Sequence, residues 1–448
     1  MTGRVFTIHP GAPFLATLAE ALLDGRLFAG RDYRRNPLDL ADVNIYLPTR
    51  RAGAALRQAF RDAFGGGSAM LPRILAISDV LEAEDDLLAP EALDLPPVIA
   101  AAERRLMLAR LVARWRERVA SDQLLTPSGQ PVAVPGSPAE ALNLSADLLA
   151  LLDQAELEGV DWSKLDALVP DDYAAWWQLS LNFLRIATEA LPAAIAEQGQ
   201  IGAGAFHRAM VEATIARWQR RPPPGPVIIA GSTGSVPSTA DLMAAVLSLS
   251  EGAVVLPGLD ITAPSETIAA SLFDCAHPEH TMNRLVARLG VERDDIGELG
   301  APVAALAARV DIVRRALVPA AVTDLWPQHA AVLDADLEGT DAALAGISLA
   351  VAANEAEEAL AAAIALRQCL ENPDARSILV TPDRTIIRRV VAELERFGIE
   401  VEDTAGQPLP QTPYGQLALL LVEAAAEDFP PVKVAATLGH PEARFGWS

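Results

Sequence analysis

Lysine is almost missing from this chain: of its 36 basic residues only Lys164 and Lys433 are lysines, and the rest are arginines. Arginine forks onto phosphate through parallel N–H donors, so the bias suits phosphate contacts; it follows equally from genome base composition. Cysteine is just as scarce. Cys275 and Cys369 lie far apart with no CxxC partner, which argues against a disulfide framework or a zinc knuckle and fits a reducing compartment. No apolar run reaches about 18 uninterrupted residues, the length that spans a bilayer. The N-terminus also has no apolar stretch long enough for a secretory signal. The expected setting is cytoplasmic, with no membrane.

Another absence is local. Residues 4–8 read as a short buried strand and 14–23 as a helix, joined by His9, Pro10, Gly11, Ala12 and Pro13. A strand, a glycine-containing loop and a helix at the start of an α/β protein is the setting of a phosphate-binding loop. That chemistry needs several glycines, a Lys for the β/γ-phosphates and a Ser or Thr hydroxyl for Mg²⁺. Here one glycine stands alone, there is no Lys, and two prolines remove N–H donors. The position is kept and the residues that grip a triphosphate are gone.

What is present is a large apolar fraction, 51%, in 448 residues carrying a net charge of −23. The length allows two or three domains, and the acidity argues against a free-standing nucleic-acid binder. The charge is uneven. Residues 1–75 hold ten Arg against six acids, so this part is positive inside an acidic chain, and local sign governs where a polyanion docks.

Strands are expected over 43–47 and 74–77, with a helix over 50–64 capped by Thr49 and broken by the glycines at 65–67. Two successive β-α units favour a parallel sheet. Residues 1–80 thus begin a first α/β domain. Helical spacing over 98–119, 137–157, 172–191 and 206–218 makes 81–220 a helical insertion, closed by a proline run. Strands over 227–230 and 253–256 with a helix over 238–249 return the chain to the first domain at 221–262. Residues 263–345 are Ala-rich and expected to be a helical connector. A second α/β domain starts at 346–448, with strands over 347–351, 377–380 and 399–402 and helices over 355–370 and 385–397. Two β-α units close a core poorly, so this domain is expected to be incomplete and the chain a portion of a longer protein.

Thr49, Arg50 and Arg51 fall at a strand end and helix N-terminus, where the helix dipole and two guanidinium groups favour an anion; an ordinary capped helix with solvated arginines is the alternative. Residues 381–383, after the 377–380 strand, read as the cap of the helix over 385–397. His277 and His280 are separated by a proline and lack a third ligand, so a turn is expected rather than a metal site. The loop 231–235 lacks the order of a nucleophile elbow. Trp176, Trp177 and Trp218 have apolar helical neighbours and read as core or interface residues rather than base-stacking platforms. The basic helix over 98–119, with Arg104, Arg105, Arg110, Arg114, Arg116 and Arg118, reads as a solvated face, with a surface that lies on DNA as the alternative.

The order of these blocks resembles the AddB family, the helicase-like subunits of AddAB recombination nucleases, in its alphaproteobacterial form. The matching stretches are FTIHPGAPF at 6–14, LPTRR at 47–51, LPRI at 71–74, IIAGSTGSVP at 228–237, VVLPGLD at 254–260, HPEH at 277–280 with RLVARLG at 284–290, and GHP at 439–441. The family is similar to superfamily 1 helicases, which implies an α/β parallel-sheet domain with a helical insertion, followed by a second α/β domain.

By that resemblance, residues 9–13 are the relic of the nucleotide loop, and this portion is non-catalytic. Thr49, Arg50, Arg51 and Arg73 in the first domain, and Thr381 and Arg384 in the second, are the residues expected to meet DNA. The implied partners are an AddA-like motor and nuclease subunit and single-stranded and duplex-end DNA. The implied work is double-strand-break repair with scanning for the Chi hotspot. The iron–sulfur cluster and Mg²⁺ of the family belong to a C-terminal nuclease domain; residues 1–448 supply neither ligand set, so no cofactor is expected in this portion. A nucleotide-dependent α/β enzyme with an unusual loop and an acidic protein-binding adaptor are the competing readings.

Overall fold

The computed structural model describes residues 4–66, 70–77, 95–121, 137–162, 164, 181, 183–404, 406 and 408–444. They fall into two units, Met1–Ala345 and Gly346–Ser448. Residues 81–94 of the expected insertion, residues 172–180 of the expected helix over 172–191, and its tryptophan pair Trp176 and Trp177 lie outside the described residues.

The first unit is built on six parallel strands: β1 (Val5–Ile8), β2 (Asn44–Leu47), β3 (Arg73–Ala76), β4 (Val227–Ala230), β5 (Gly252–Pro257) and β6 (Gly297–Leu299). Their order across the sheet is β3-β2-β4-β5-β1-β6. The strands are apolar runs because both faces are covered, and the side chains sort by a period of two. Ile45, Leu47, Ile228, Ala230, Ala253 and Val255 join one core with helices α1 (Phe14–Leu23) and α2 (Arg50–Ala63). Tyr46, Val227, Ile229, Val254 and Leu256 join the other.

The direction of winding decides which helix covers which face. From β1 the chain steps to β2 and β3 in one direction across the sheet; from β4 it steps to β5 and β6 in the other. Right-handed crossovers place helices of opposite steps on opposite faces. Helices α1 and α2 therefore cover the first core. The second is covered by two helices from the returning half of the chain, Pro237–Ser248 and His280–Leu289.

The expected insertion lies between β3 and β4. It includes α3 (Ala101–Ser121), α4 (Pro138–Glu158), α5 (Leu191–Glu197) and α6 (Ala203–Arg220). Ser137 and Glu140 form a reciprocal capping box at the start of α4. Leu108, Val112, Leu148, Leu152, Leu191 and Ile195 make a separate core here. Helix α6 ties the insertion to the sheet: Val211 and Trp218 belong to the second sheet core, and the Trp218 ring lies 6.2 Å from that of Tyr46. Trp218 is a core residue, as its neighbours implied.

The solvated-face reading of 98–119 holds only in part. Arg110 and Arg114 are exposed, but Arg104 is 7% exposed. Its guanidinium bonds to the Asp153 carboxylate and lies 3.7 Å from that of Glu156. Arg105 donates to the Leu142 carbonyl at 3.1 Å. These partners come from the neighbouring helix, so helical spacing alone gave no sign of them.

Beyond β4 follow α7 (Pro237–Ser248), α8 (Ser265–Ser271), α9 (His280–Leu289), α10 (Ala304–Ala316), α11 (Trp326–Ala335) and α12 (Leu337–Leu344). The expected connector 263–345 is not wholly helical. It contains β6, which pairs with β1 in the register Ile8↔Leu299, so the first sheet continues past residue 262. Three residues, Gly-Glu-Leu, are too few to carry a strand period.

The second unit holds α13 (Glu355–Cys369), α14 (Arg384–Arg396), α15 (Pro413–Ala426) and α16 (Pro431–Leu438). Ala359 and Ala363 let α13 approach Ile386, Val390 and Leu394 of α14 closely. The three expected strands have no regular secondary structure and form no ladder. Leu349 and Val351 are 90% and 88% exposed, and Val380 is 88% exposed. A strand exists only against a partner. In the first unit β1 and β2 do not pair with each other either; β5 and β4 lie between them. No described residue of the second unit supplies such an intervening strand. Among the described residues no helix is long and apolar enough to cross a membrane.

Candidate functional site at the carboxyl edge of the sheet

In a parallel sheet with helices on both faces, ligands bind beyond the carboxyl ends of the strands, where adjacent loops leave toward opposite faces. Two such places exist here. The loop after β1 leads to α1 beside the loop after β5, and the turn after β2 leads to α2 beside the loop after β4.

The β1 loop contains His9, Pro10, Gly11, Ala12 and Pro13. Between Pro10 and Pro13 only Gly11 and Ala12 carry N–H groups, and both are used internally. Gly11 N–H donates to His9 Nδ1 at 3.0 Å, and Ala12 N–H donates to the His9 carbonyl at 2.9 Å. The N-cap of α1 is Pro13, which offers no side-chain cap. One side of the loop is also occupied: a Cβ placed on Gly11 would lie 3.0 Å from Pro302 Cβ and 3.1 Å from Leu306 Cβ.

The loop after β5 packs beside it. Gly258 has φ +80°, and a Cβ there would meet Pro10 at 2.8 Å. Two residues on, Asp260 is 8% exposed and begins a polar network that sequence reasoning missed. Asp260 Oδ1 accepts from the Thr262 N–H at 2.8 Å, and the Asp260 N–H donates to Glu279 Oε1 at 2.8 Å. Arg314 donates to the Gly258 carbonyl at 3.2 Å and lies 3.5 Å from Asp260 Oδ1. Arg293 donates to Asn283, which donates to the Ser271 hydroxyl at 2.6 Å. Burial pushes the Glu279 carboxyl up and the Arg293 guanidinium down; the Asp260 amide and the charges of Arg314 and Arg293 pull Glu279 back. The stretch 254–260 was visible in the sequence, but Arg293 arrives from the turn after α9 and Arg314 from α10.

At the other place, Thr49 caps α2: its Oγ1 accepts from the Ala52 N–H at 3.1 Å. Arg50 and Arg51 follow on the exposed first turn. The β4 turn lies alongside: at Gly231, φ +76°, a Cβ would stand 3.6 Å from Pro48 Cδ and 3.4 Å from the Phe14 ring. The starts of α1 and α2 thus flank one turn. In that turn the Gly234 N–H donates to the Ser232 hydroxyl at 3.3 Å.

Arg73 is not brought to this edge. It opens β3 opposite Asn44, whereas Thr49 follows Leu47, which pairs with Ala76; Arg73 stands at the amino end of the sheet. Thr381 and Arg384 belong to the second unit. Thr381 Oγ1 accepts from the Asp383 N–H at 3.1 Å, and Asp383 caps α14 by accepting from Thr385 at 2.7 Å. The Arg384 guanidinium donates to Asp403 at 3.1 Å and to the Gly406 carbonyl at 2.9 Å. Any phosphate would have to displace that carboxylate.

His277 and His280 are spent on backbone groups: His277 Nδ1 accepts from the Glu279 N–H at 3.2 Å, and His280 Nδ1 lies 2.8 Å from the Ser271 carbonyl. A cleft of about 430 Å³ opens elsewhere in the first unit, between α4, α6 and α7. Burial lowers the pKa of His207 in its wall, but no loop after β1, β2 or β5 contributes to its lining. No protein-family model matches this chain, and no curated protein matches it.

Proposed function

We propose that this chain is an AddB-like subunit of a double-strand-break repair helicase–nuclease, in which the first unit is an inactivated helicase scaffold that guides single-stranded DNA. The observation that carries the reading is the β1 loop. It follows β1 at the carboxyl edge, yet the N–H groups of Gly11 and Ala12 are both bonded to His9, and Pro302 and Leu306 pack against its glycine.

The neighbouring edge keeps features suited to a phosphodiester chain. Thr49 starts α2, whose N-terminal dipole favours negative charge, and Arg50 and Arg51 lie exposed on its first turn. Such contacts hold the sugar–phosphate chain without reading bases. Movement would come from ATP hydrolysis by an AddA-like partner, and this unit would set the strand's path. An acidic chain suits that role when only the track is cationic.

Photocrosslinking of single-stranded DNA to the complex of this chain with an AddA-type motor subunit tests the reading. Crosslinked peptides covering residues 48–51 are expected. A complex that assembles and binds the strand without contact anywhere on the carboxyl edge would overturn it and favour an adaptor.

A further inference from the structure

The nucleotide loop has not merely decayed; another part of the chain has settled on it. Strand β6 lies beside β1 with Leu299 opposite Ile8, so the chain leaving β6 emerges next to the loop leaving β1. Gly300, at φ +79°, runs against the first turn of α1: a Cβ there would fall 2.7 Å from Thr17 Cγ2 and 3.4 Å from Ala12 Cβ. Pro302 and Leu306 then lie over Gly11. At the far end of α10, Arg314 reaches the Gly258 carbonyl and the Asp260 carboxylate. That carboxylate is itself oriented by Thr262. One helix is fixed at its start over the β1 loop and at its end to the β5 loop.

We infer that residues 300–316 act as a built-in plug, an intramolecular ligand that takes the place of nucleotide and holds the β1 and β5 loops in one fixed arrangement. This rests on reading the β1 loop as the nucleotide position of the fold and deepens that reading. A helicase domain normally has its edge loops ordered by a ligand that comes and goes; here the ordering group is covalently part of the chain. The consequence is a pair of loops, after β1 and β5, whose arrangement does not change with the ATP cycle of the motor beside it.

Hydrogen exchange of the full chain tests this, with Arg314→Ala to release the latch and Pro302→Gly to remove the cover over Gly11. Peptides covering 9–16, 304–316 and 50–63 are followed with and without Mg·ATP. Each variant is expected to speed exchange in 304–316 and in 9–16 together by tenfold or more, leaving 50–63 unchanged. Faster exchange in 304–316 with 9–16 unaltered would overturn the plug, since α10 would then be only a neighbour. Should Arg314→Ala fail to fold, Pro302→Gly at the partly exposed start of the segment gives the same readout. Protection of 9–16 by Mg·ATP in the variants alone would uphold the plug and overturn the inactivated site. Protection in the wild-type chain would overturn both.

Discussion

Replacing Arg104 by Ala tests how the helical insertion is held. The side chain is 8% exposed and joins α3 to α4 through Asp153 and Glu156, whose side chains are 52% and 25% exposed. Removing one member of a fully buried ion pair costs roughly 3–5 kcal/mol. Asp153 is half in water and recovers much of its solvation, so a loss of about 2–3 kcal/mol is expected, carried mainly by Glu156. Burial already holds the Glu156 carboxyl above its ordinary value, with Arg104 the largest opposing influence. Without Arg104 the folded-state pKa rises further. The folded insertion then retains a proton at a pH where the unfolded chain has released it. Stability of the variant therefore recovers as pH falls through that window, and the deficit is greatest above it. Hydrogen exchange in α3 and α4 reads this as a rate increase of roughly 30- to 150-fold at neutral pH, since each 1.4 kcal/mol is tenfold. The increase should shrink on acidification. A rise below threefold, or one indifferent to pH, would refute the claim that Arg104 is a buried countercharge.

Phe60 is fully buried between α2 and the sheet, and Phe60→Ala is expected to cost about 3–5 kcal/mol in denaturant unfolding of the first unit. Ser137→Ala removes one half of the capping box and should cost about 1 kcal/mol, seen as faster exchange confined to the first turn of α4. Burial raises the Glu279 carboxyl, so its ionised form destabilises the fold at neutral pH and that penalty is relieved as pH falls through the raised value. Glu279→Gln keeps an oxygen for the Asp260 N–H, and it should flatten this pH dependence in thermal melts without lowering stability at neutral pH.

The parts of the fold legible in the sequence are those written in local pattern. Strand β4 has the expected bounds, and α2 differs by one residue from its expected end. Thr49 caps α2, because a hydroxyl after a proline-terminated strand has few other roles. The make-up of residues 9–13, one glycine and no Lys between two prolines, is equally local. What was not legible depends on pairing at a distance. Strand β6 has one buried apolar residue and exists only because β1 is beside it. The segments around Leu349 and Val380 have strand-like composition and no strand partner among the described residues. Arg73 looked like a companion of Arg50 in sequence, yet parallel pairing sends the start of β3 to the opposite edge. Asp260, Glu279, Arg293 and Arg314 come from four separate segments, so no spacing rule joins them.

The salt dependence of single-strand binding by the complex with an AddA-type motor tests the DNA track most directly. Each phosphate contact on a single strand contributes about 0.7 to the slope of log affinity against log salt. The double variant Arg50→Ala, Arg51→Ala should therefore flatten that slope by about 1.4 if each side chain neutralises one phosphate, with assembly intact. An unchanged slope in an intact complex would contradict the account.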